Sequence, residues 1–547
     1  MVAAVVVAVA GGLLSFKDDD DRNFQIVKNL DVFNSLFKEL DLFYVDTIDA
    51  EKVIGTGIEA MLQQLDPYTV YYPESQTEEL KMMTTGKYAG IGSVIRFHKG
   101  KNRVVIAEPY ENLPAAKVGL KPGDIILDID GVDMLGKSTS EVSDKLRGEA
   151  GTSFLLRVQR PGTTEPLEFK VTRENIQTPT IPYYGIVGDG IGYIYLTSFT
   201  ENCSRDVRRA FIDLKQQGIT SLVLDLRGNP GGLMSEAVEI LNMFLPKGLE
   251  VLSTKGKMKQ AASVTKTTKE PLDTQMPLAV LVDGESASAS EIVAGSLQDL
   301  DRAVIVGTRT FGKGLVQVIR DLPYNGNLKV TTSKYYIPSG RCVQAINYQH
   351  RDAAGRAERV PDSLTTVFHT AAGREVRDGG GVTPDKKVEG EKAPTMLYYL
   401  DAHDVVFDYV VDFCLRHDTI ADAAHFTLSD AEYEIFKQQV KKSDFTYDKE
   451  SEKALKALRS IAEIEGYMDD AKGEFEALEK KLSHNLDRDL DHFSKDIREL
   501  VAGEIVKNYY HQRGTVIYSL RFDQGLEDAR AILRDTTAYR KILSPKE

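Results

Sequence analysis

The chain has 547 residues, of which 42% are apolar and 27% are charged, and its formal net charge at pH 7 is -14. This composition excludes an intrinsically disordered protein, because disordered chains are poor in apolar residues. The acidic balance argues against a nucleic-acid partner, since a phosphate backbone requires a basic face and none stands out in the sequence. The length exceeds what one compact core accommodates and predicts two to four domains.

The chain begins with a run of apolar residues and glycines at 1–14. This run is shorter than the about 20 residues that span a bilayer as a helix. It fits the apolar part of a secretory signal, with Ala8-Val9-Ala10 as a small-residue cleavage pattern. We therefore expect export to the periplasm or cell envelope, with the run either cleaved or kept as a membrane anchor. The alternative is a buried hydrophobic N-terminus. The acidic segment 17–22 is then expected to be a solvated spacer.

Residues 23–85 are predicted to be helical. A second helix is expected from Ala50 to Leu65, where Asp66-Pro67 ends it. The apolar residues that recur at helical spacing in the first helix are Ile26, Leu30, Val32, Phe33, Leu36, Phe37 and Leu40.

Residues 86–174 alternate short strands with glycine turns. Their size and order predict a small, partly open β-barrel with two short helices. The expected strands are 93–97, 103–109, 124–131, 153–160 and 167–173, and the expected helices are 113–118 and 139–147.

Residues 185–390 alternate strands with helices, which predicts an α/β unit. The apolar strand 278–283 is continuous, as expected where both faces of a sheet are covered. Ser235 is predicted to cap a helix. The expected strands are 192–196, 221–226, 278–283, 303–307, 315–319 and 328–337, and the expected helices are 202–217, 235–245 and 288–300.

Residues 391–547 return to a helical pattern. An apolar stripe is expected on one long helix or on two stacked helices. We expect it to pack within the molecule, with a contact between two copies as the alternative. The stripe comprises Phe475, Leu478, Leu482, Leu486, Leu490, Phe493, Ile497 and Leu500.

The segment 283–298 is predicted to follow a buried strand and to open a helix. Small residues at 286–290 let the backbone turn sharply and let a substrate approach closely. A serine there lies at a helix N-terminus, where free N–H groups and the macrodipole favour negative charge. Acyl transfer needs such a place for its tetrahedral oxyanion. Taken alone, the pattern favours an ordinary helix cap.

The segment 307–317 places Lys313 between two glycines. Its spacing matches the start of a phosphate-binding P-loop, but Gly314 stands where Ser or Thr is required and a strand follows where a helix is required. Apolar surroundings lower the pKa of a lysine and let it act as a base, although a solvated lysine is commoner. If the strand begins at Lys313, then Gln317 shares its face and can hold the amine.

No histidine lies between His98 and His350. A serine nucleophile in the α/β region would therefore need another base, and the known variant is Ser-Lys. A glycine-rich loop within 224–234 can bring a backbone N–H to a scissile carbonyl. A tight strand-to-helix turn explains the loop equally well.

These three segments together resemble the C-terminal processing peptidases, or tail-specific proteases, of serine peptidase family S41. The resemblance covers residues 23–390. The family motif SASASE stands at 286–291, with its central serine at Ser288, and the family GKG lysine falls on Lys313, where 313 − 288 = 25 is the family's separation. The later family marks YYIPSGR and GVTPD stand at 335–341 and 381–385.

The resemblance implies a role for each residue. Ser288 is the expected nucleophile, Lys313 the general base and Gln317 the group that orients the lysine amine. Ser286 or Ser290 is the alternative nucleophile. No metal and no organic cofactor is implied; the nine histidines form no metal-binding motif, and the three cysteines form no disulfide or metal-binding pattern. The expected oxyanion-hole donors are the N–H groups of Ala289 and of Gly231 or Gly232.

Residues 86–174 resemble a PDZ domain. The stretch GLKPGDIILDIDG at 119–131 is typical of one, and YAGIG at 88–92 looks like its carboxylate-binding loop. A PDZ domain adds a peptide as an extra strand and seats the terminal carboxylate on loop N–H groups. Arg147 would sense the bound peptide, or is a solvated surface arginine. The peptide-binding residues implied are Ala89, Gly90, Ile91, Gly92 and Arg147.

The predicted fold is a multidomain α/β and β protein, with an S41 core of crotonase-like βαβ units and an inserted PDZ domain. The predicted function is cleavage of exported proteins with apolar C-terminal tails. The alternatives are an inactive scaffold that binds C-terminal peptides and a nucleotide-dependent enzyme. The C-terminal helices are a possible contact for a second copy or an adaptor. The predicted segments are a signal or anchor with spacer (1–22), a helical region (23–85), the PDZ domain (86–174), the protease core (175–390) and a helical domain (391–547).

Overall fold

A computed structural model describes residues 2–352, 355–389, 393–443, 445–483 and 485–544, and of residues 2–20 it describes the backbone alone. The chain divides into two units, which are described separately. The smaller unit comprises residues 1–74 and 317–331, and the larger unit comprises residues 75–316 and 332–547.

The N-terminal segment is helical, as predicted, but its first helix is longer than expected. Helix α1 spans Val2–Phe43 and so includes both the apolar run and the acidic segment 17–22. The acidic segment therefore continues the helix, and its description as a solvated spacer stays a prediction. Helix α2 (Ala50–Gln63) begins at Asp49, whose carboxylate accepts the Lys52 N–H at 3.1 Å. Strand β1 (Val70–Tyr72) follows, and it is too short to leave a periodic signal. Among the described residues, no helix is long and apolar enough to cross a membrane.

The second part of the chain is a small sheet domain. Its five predicted strands are all present, with ends within about two residues of the prediction, and three further short strands at 87–90, 132–133 and 174–177 were not predicted. Its elements are α3 (Thr77–Thr85), β2 (Lys87–Gly90), β3 (Ser93–His98), β4 (Arg103–Pro109), α4 (Pro114–Lys117), β5 (Ile125–Ile129), β6 (Val132–Asp133), α5 (Thr139–Leu146), β7 (Ser153–Gln159), β8 (Leu167–Thr172) and β9 (Glu174–Gln177). The sheet order is β3-β4-β5-β7-β8, with β6 paired to β5 and all pairs antiparallel. Strand β3 is therefore an edge strand, and its neighbour on the other side is α5.

The third part alternates strands and helices. Its elements are β10 (Tyr183–Ile186), β11 (Ile191–Tyr195), α6 (Cys203–Gln216), β12 (Ser221–Asp225), α7 (Met234–Phe244), β13 (Glu250–Gly256), β14 (Ser263–Lys266), β15 (Leu278–Val282), α8 (Ala289–Asp299), β16 (Val304–Gly307), β17 (Leu315–Asp321), β18 (Asn327–Tyr336), β19 (Ile346–Arg351), β20 (Ala357–Arg359), β21 (Val367–His369), β22 (Glu375–Arg377) and β23 (Lys386–Lys387). Helix α7 begins after Leu233, so the predicted cap Ser235 lies inside the helix. Strands β13 and β14 were not predicted.

The main sheet of the larger unit has the order β10-β11-β12-β15-β16-β23. Its strands are parallel except for β10, which pairs antiparallel with β11. Every residue of β12, β15 and β16 is buried, as the continuous apolar pattern predicted. Helices α6, α7 and α8 cover one face and share its hydrophobic core. The segment 286–291, which carries the predicted nucleophile, thus follows a central strand at the carboxyl edge of a parallel sheet.

The last part of the chain is helical, as expected, but more divided than expected. Its helices are α9 (Thr395–Ala402), α10 (Val405–Arg416), α11 (Asp430–Lys442), α12 (Glu450–Glu465), α13 (Met468–Leu482), α14 (Leu486–His492), α15 (Ser494–Ser519), α16 (Gln524–Arg534) and α17 (Thr536–Leu543). The predicted stripe from Phe475 to Leu500 lies on three helices, because Asn485 caps a new one by accepting the Arg488 N–H at 2.9 Å. The predicted boundary at 390/391 falls on residues 390–392, which lie outside the described residues.

The second face of the main sheet is covered by the end of the chain. Leu526 and Ala529 of α16 share a core with Tyr193, Val223 and Leu281 of β11, β12 and β15. The Tyr539 hydroxyl of α17 donates to the Arg302 carbonyl at 3.1 Å and accepts the Leu278 N–H at 3.0 Å. The final helices thus complete the packing of the main sheet.

In the smaller unit, β1 pairs antiparallel with the first part of β18, with Val70 opposite Lys329. The Asn325 amide donates to Glu74 at 2.7 Å. Many apolar side chains of α1 are exposed, among them Phe24, Leu30, Phe33 and Leu36.

An ion-pair cluster joins the end of β12 to α16. The Arg227 guanidinium donates to Asp225 at 3.0 Å and to Asp523 at 2.8 Å, and Asp523 also caps α16. We expect Arg227→Met to lower the free energy of unfolding by about 3 kcal/mol, because two carboxylates that are largely buried lose their partner. Urea denaturation measures this loss. The exposed Arg209→Met should stay within about 0.5 kcal/mol of the native protein. Equal stability of the two variants would show that the cluster contributes nothing.

Candidate active site

Ser288 lies in the turn between β15 and α8, at the position that caps the helix. Its backbone has φ 54° and ψ −112°, a conformation that side-chain-bearing residues rarely adopt. Such strain persists only where the surrounding structure holds it, and it clusters at functional sites. The turn is therefore built to present this residue.

The two neighbouring serines are structural. Ser286 and Ser290 are fully buried. The Ser286 hydroxyl donates to the Leu226 carbonyl at 2.8 Å, and the Ser290 hydroxyl donates to the Asn229 carbonyl at 2.9 Å. Ser288 is partly exposed. Of the three serines in the motif, the geometry favours Ser288 as the one that a substrate can reach.

Lys313 lies in a loop between β16 and β17. The strand begins at Leu315, as predicted, so the condition under which Lys313 and Gln317 would share a strand face is not met. Because the loop leads into a strand, the P-loop hypothesis is also contradicted. Gly312 has φ 90°, and a Cβ on it would lie 2.3 Å from the Ala345 Cβ. The loop is thus packed tightly against the segment that carries Ala345, and Lys313 follows directly.

Glu291 joins the serine turn to the lysine loop. Its side chain is fully buried in the first turn of α8. One carboxylate oxygen accepts the Thr310 hydroxyl at 2.6 Å and the Gly312 N–H at 2.8 Å. The other accepts the Ser288 N–H at 2.9 Å and the Lys313 N–H at 2.8 Å. Burial raises the pKa of the Glu291 carboxyl, and the four donors oppose that shift.

This role of Glu291 was missed in the sequence. The available signal was a single acidic residue inside the apolar helix ASEIVAGSL. A buried carboxylate requires several donors, and three of its four donors come from a segment 19 to 22 residues away.

The glycine-rich loop after β12 lies against the serine turn. A Cβ on Gly231, which has φ 99°, would lie 2.8 Å from the Ser288 Cβ and 2.9 Å from the Ala289 nitrogen. The Gly231 N–H already donates to the Asn229 side chain at 2.9 Å. Among the described residues the Gly232 N–H has no recorded acceptor, and Ala289 is the first residue of α8, whose N–H has no partner within the helix. The N–H groups of Gly232 and Ala289 are therefore available to a further acceptor, whereas that of Gly231 is already bonded.

Gln317 belongs to the smaller unit, where it lies on β17. Its amide donates to the Thr331 hydroxyl at 3.1 Å. Its predicted role beside the lysine stays a prediction.

The predicted loop at 88–92 comprises the last three residues of β2 and the two residues, Ile91 and Gly92, that lead into the edge strand β3. The Ile91 and Gly92 carbonyls accept the N–H groups of Ala115 and Tyr110 at 2.8 and 2.9 Å. No described residue is recorded as accepting the N–H of Ile91 or Gly92, and two adjacent free N–H groups form a concavity for an anion. Arg147 stacks over the Tyr88 ring, with its guanidinium carbon 5.4 Å from the ring centroid. Arg147 thus contacts the first residue of this loop.

Within the part of the chain that the structure describes, no group of three or more His, Cys, Asp or Glu residues is placed to hold a metal ion.

Replacing Glu291 tests the link between the two segments. We expect Glu291→Gln to lower the free energy of unfolding by about 2–5 kcal/mol. The glutamine NH2 group replaces one carboxylate oxygen and cannot accept a hydrogen bond from the donors that surround it. Proteolysis should fall by more than about 10²-fold, since small displacements of reacting groups have effects of that size. Thermal melts and initial rates measure both. Glu285→Gln, an exposed change in the preceding turn, is the control, and native behaviour of Glu291→Gln would contradict the role.

Three family models match the chain. They are described as peptidase family S41, over residues 190–350; PDZ domain, over residues 105–160; and probable PDZ-protease, C-terminal helical domain, over residues 396–533.

Named relatives point the same way. The carboxy-terminal-processing protease of Bartonella bacilliformis is 37% identical over 359 residues, which are 63% of this chain and 81% of that protein. The carboxyl-terminal-processing protease of a Synechocystis strain is 38% identical over 295 residues, which are 53% of this chain and 68% of that protein. A solved structure, the photosystem II D1 C-terminal processing protease, is 28% identical, with 65% of this chain and 87% of that chain covered and a TM-score of 0.37.

The sequence match to the Bartonella protein extends over most of that enzyme's length, and the family model for S41 peptidases covers the strands and turns that carry Ser288 and Lys313. This chain therefore belongs to the carboxy-terminal processing proteases of peptidase family S41, and it is a serine endopeptidase with a PDZ domain.

Proposed function

We propose that Ser288 and Lys313 form a Ser-Lys catalytic dyad that cuts exported proteins near their C-termini, with the substrate tail captured by the PDZ domain. The observation that carries the dyad is the Glu291 carboxylate, which binds the backbone N–H of both residues through one oxygen. Two segments 25 residues apart (313 − 288) are thereby held at one point.

In the proposed reaction, the neutral Lys313 amine takes the proton of the Ser288 hydroxyl as its oxygen bonds to the scissile carbonyl carbon. The oxyanion lies at the start of α8, where the N–H of Ala289 and of a loop glycine, Gly232 or Gly231, stabilise it. The Lys313 ammonium then protonates the leaving amine and the C–N bond breaks. Water attacks the acyl ester while Lys313 takes a proton from that water. The bond between the acyl carbon and the Ser288 Oγ then breaks, Lys313 returns the proton to this oxygen, and the product leaves with a new C-terminal carboxyl group. Gln317 is proposed to orient the amine.

Tail capture is supported by the edge strand and the loop before it. Strand β3 has one free edge, to which an extended peptide can add as a further strand. The free N–H groups of Ile91 and Gly92 lie just before this strand and suit a terminal carboxylate. Ala89, Gly90 and Arg147 complete the proposed site.

The apolar run at 1–14 supports a place for the enzyme in the cell envelope, as an exported or anchored protein. Exposed apolar residues of α12, namely Leu458, Ile461 and Ile464, support a contact with a second copy or an adaptor through the C-terminal helices.

A covalent probe tests the dyad and separates it from an inactive peptide-binding scaffold. A fluorophosphonate should add to a single serine and stop proteolysis, and the time course of labelling should match the time course of the loss of activity. Mass spectrometry of the digested protein should place the adduct on Ser288. An enzyme that cleaves protein but is labelled elsewhere, or not at all, would contradict the proposal.

Tail capture predicts a dependence on the terminal carboxylate. Amidation of the C-terminus of a protein substrate with an apolar tail should raise KM by about tenfold or more and change kcat less. Recognition of the carboxylate is then lost, while the chemical step is kept. Gly92→Ala should remove the difference between acid and amide, since a Cβ there would lie 2.6 Å from the Leu113 Cβ. Equal KM values for acid and amide on the unmodified enzyme would contradict recruitment by the carboxylate.

A further inference from the structure

A buried tyrosine hydroxyl lies between the two proposed catalytic residues. The Tyr335 hydroxyl is 2.8 Å from the Lys313 carbonyl oxygen and 3.1 Å from the Ser288 carbonyl oxygen. A phenol has one proton to donate, so the two carbonyls share it in a three-centre bond. Tyr335 is 1% exposed, and its ring is part of the core under α8.

This contact complements the one made by Glu291. The carboxylate binds the N–H groups of Ser288 and Lys313, and the phenol binds their C=O groups. The N–H and C=O groups of both residues thus bond to the same two side chains, and the Ser288 carbonyl also accepts the Glu291 and Ile292 N–H groups at 2.9 and 3.0 Å. The Tyr335 N–H also donates to the Gly314 carbonyl at 3.0 Å, which ties β18 to the lysine loop directly.

Regular structure does not hold Lys313 in place. It lies in a loop two residues before β17, and Ser288 lies in a strained turn before α8. The distance between a nucleophile and its base must hold to well under about 1 Å for efficient proton transfer. A direct link between the two peptide units is the shortest means of setting it.

We infer that Tyr335 is a positioning residue, whose hydroxyl sets the separation between the Ser288 turn and the Lys313 loop. This inference rests on the proposed dyad. It gives a function to the first tyrosine of the YYIPSGR motif, which neither proton transfer nor oxyanion binding uses. Burial raises the pKa of the Tyr335 hydroxyl well above its usual range, so the group remains a donor throughout the working pH range.

The alternative is a hydroxyl that serves stability alone. Tyr539 provides the matched comparison, because it is also buried and its hydroxyl also bonds backbone groups, at Leu278 and Arg302, on the other face of the sheet. Tyr335→Phe and Tyr539→Phe each remove one oxygen atom and keep the ring. Both variants are compared at a temperature at which near-ultraviolet circular dichroism shows them folded.

The test is the pair of steady-state profiles against pH, with a tail-bearing model protein as substrate. We expect Tyr335→Phe to lower kcat by about 10- to 100-fold with KM within about twofold, as for an interaction that matters in the transition state. The acid limb of kcat/KM should move to higher pH, because a loosened loop lets the lysine amine reach water. Tyr539→Phe should lose comparable thermal stability and keep native kcat and pH profile.

A native kcat and pH profile for Tyr335→Phe would overturn the inference, and so would equal losses of kcat in the two variants. Ser288→Ala is measured in parallel to keep the two proposals apart. Full activity of Ser288→Ala would refute the dyad itself. An inactive Ser288→Ala beside a fully active Tyr335→Phe would refute the positioning role alone.

Discussion

Ser288→Ala should reduce kcat by about 10⁴-fold or more, because removal of a nucleophile leaves only the catalysis that binding and oxyanion contacts supply. The free energy of unfolding should change by less than about 1 kcal/mol. The Ser288 side chain is partly exposed and the backbone bond to Glu291 does not depend on the hydroxyl. Product formation measured by mass spectrometry, beside a urea melt, checks both statements.

Ser296→Ala is the matched control for this change. It removes a hydroxyl from the same helix, one that donates to the Val251 carbonyl at 2.9 Å in the core. We expect it to cost about 1 kcal/mol of stability and to leave kcat unchanged. Retained proteolysis in Ser288→Ala, or equal losses of kcat in the two variants, would remove Ser288 from the reaction.

Lys313→Met should lower kcat at neutral pH by about 10³-fold or more, because general-base assistance and nucleophile activation are lost together. Methionine keeps most of the side-chain length and cannot take a proton. The backbone N–H of residue 313 still reaches Glu291, so the fold should survive. Initial rates over several hours, corrected for the rate of Ser288→Ala, provide the measurement.

A surface lysine and a small amine sharpen this test. Lys247→Met, whose side chain is 59% exposed, should be fully active. Lys313→Ala should regain part of its activity when methylamine is added, whereas Lys313→Met, which fills the space, should regain less. Native kcat in Lys313→Met would show that another group is the base.

The elements with a strong local signal were predictable from the sequence. The strands of the PDZ domain and of the central sheet were found because glycine turns and short apolar runs bound them. Strands β13 and β14 were missed because Glu250–Gly256 and Ser263–Lys266 mix polar and apolar residues. The packing of α16 on the sheet was not predictable, since an amphipathic helix does not reveal which surface will cover its apolar face.

For the candidate site, the sequence predicted the residue types and their order along the chain. It did not predict the contacts between the segments that carry them. A strand was expected over the apolar run LVQVI, and it does begin at Leu315. The bond from the Lys313 N–H to the Glu291 carboxylate had no signal in the sequence. Neither Glu291 nor Tyr335 has a local pattern that reports its partners. Apart from the Ser288 N–H, which is three residues before Glu291, these partners lie 19 to 47 residues away.

The two helices at the end of the chain cannot be removed from this enzyme without exposing the hydrophobic core that they cover. Helices α16 and α17 cover Tyr193, Val223 and Leu281 of the main sheet. In a protein without those helices, these three side chains would form an exposed hydrophobic patch. Such a shortened enzyme would be prone to aggregation even if all of its catalytic residues were unchanged. Loss of these helices would be tolerated only if polar residues first replaced the apolar ones on this face of the sheet.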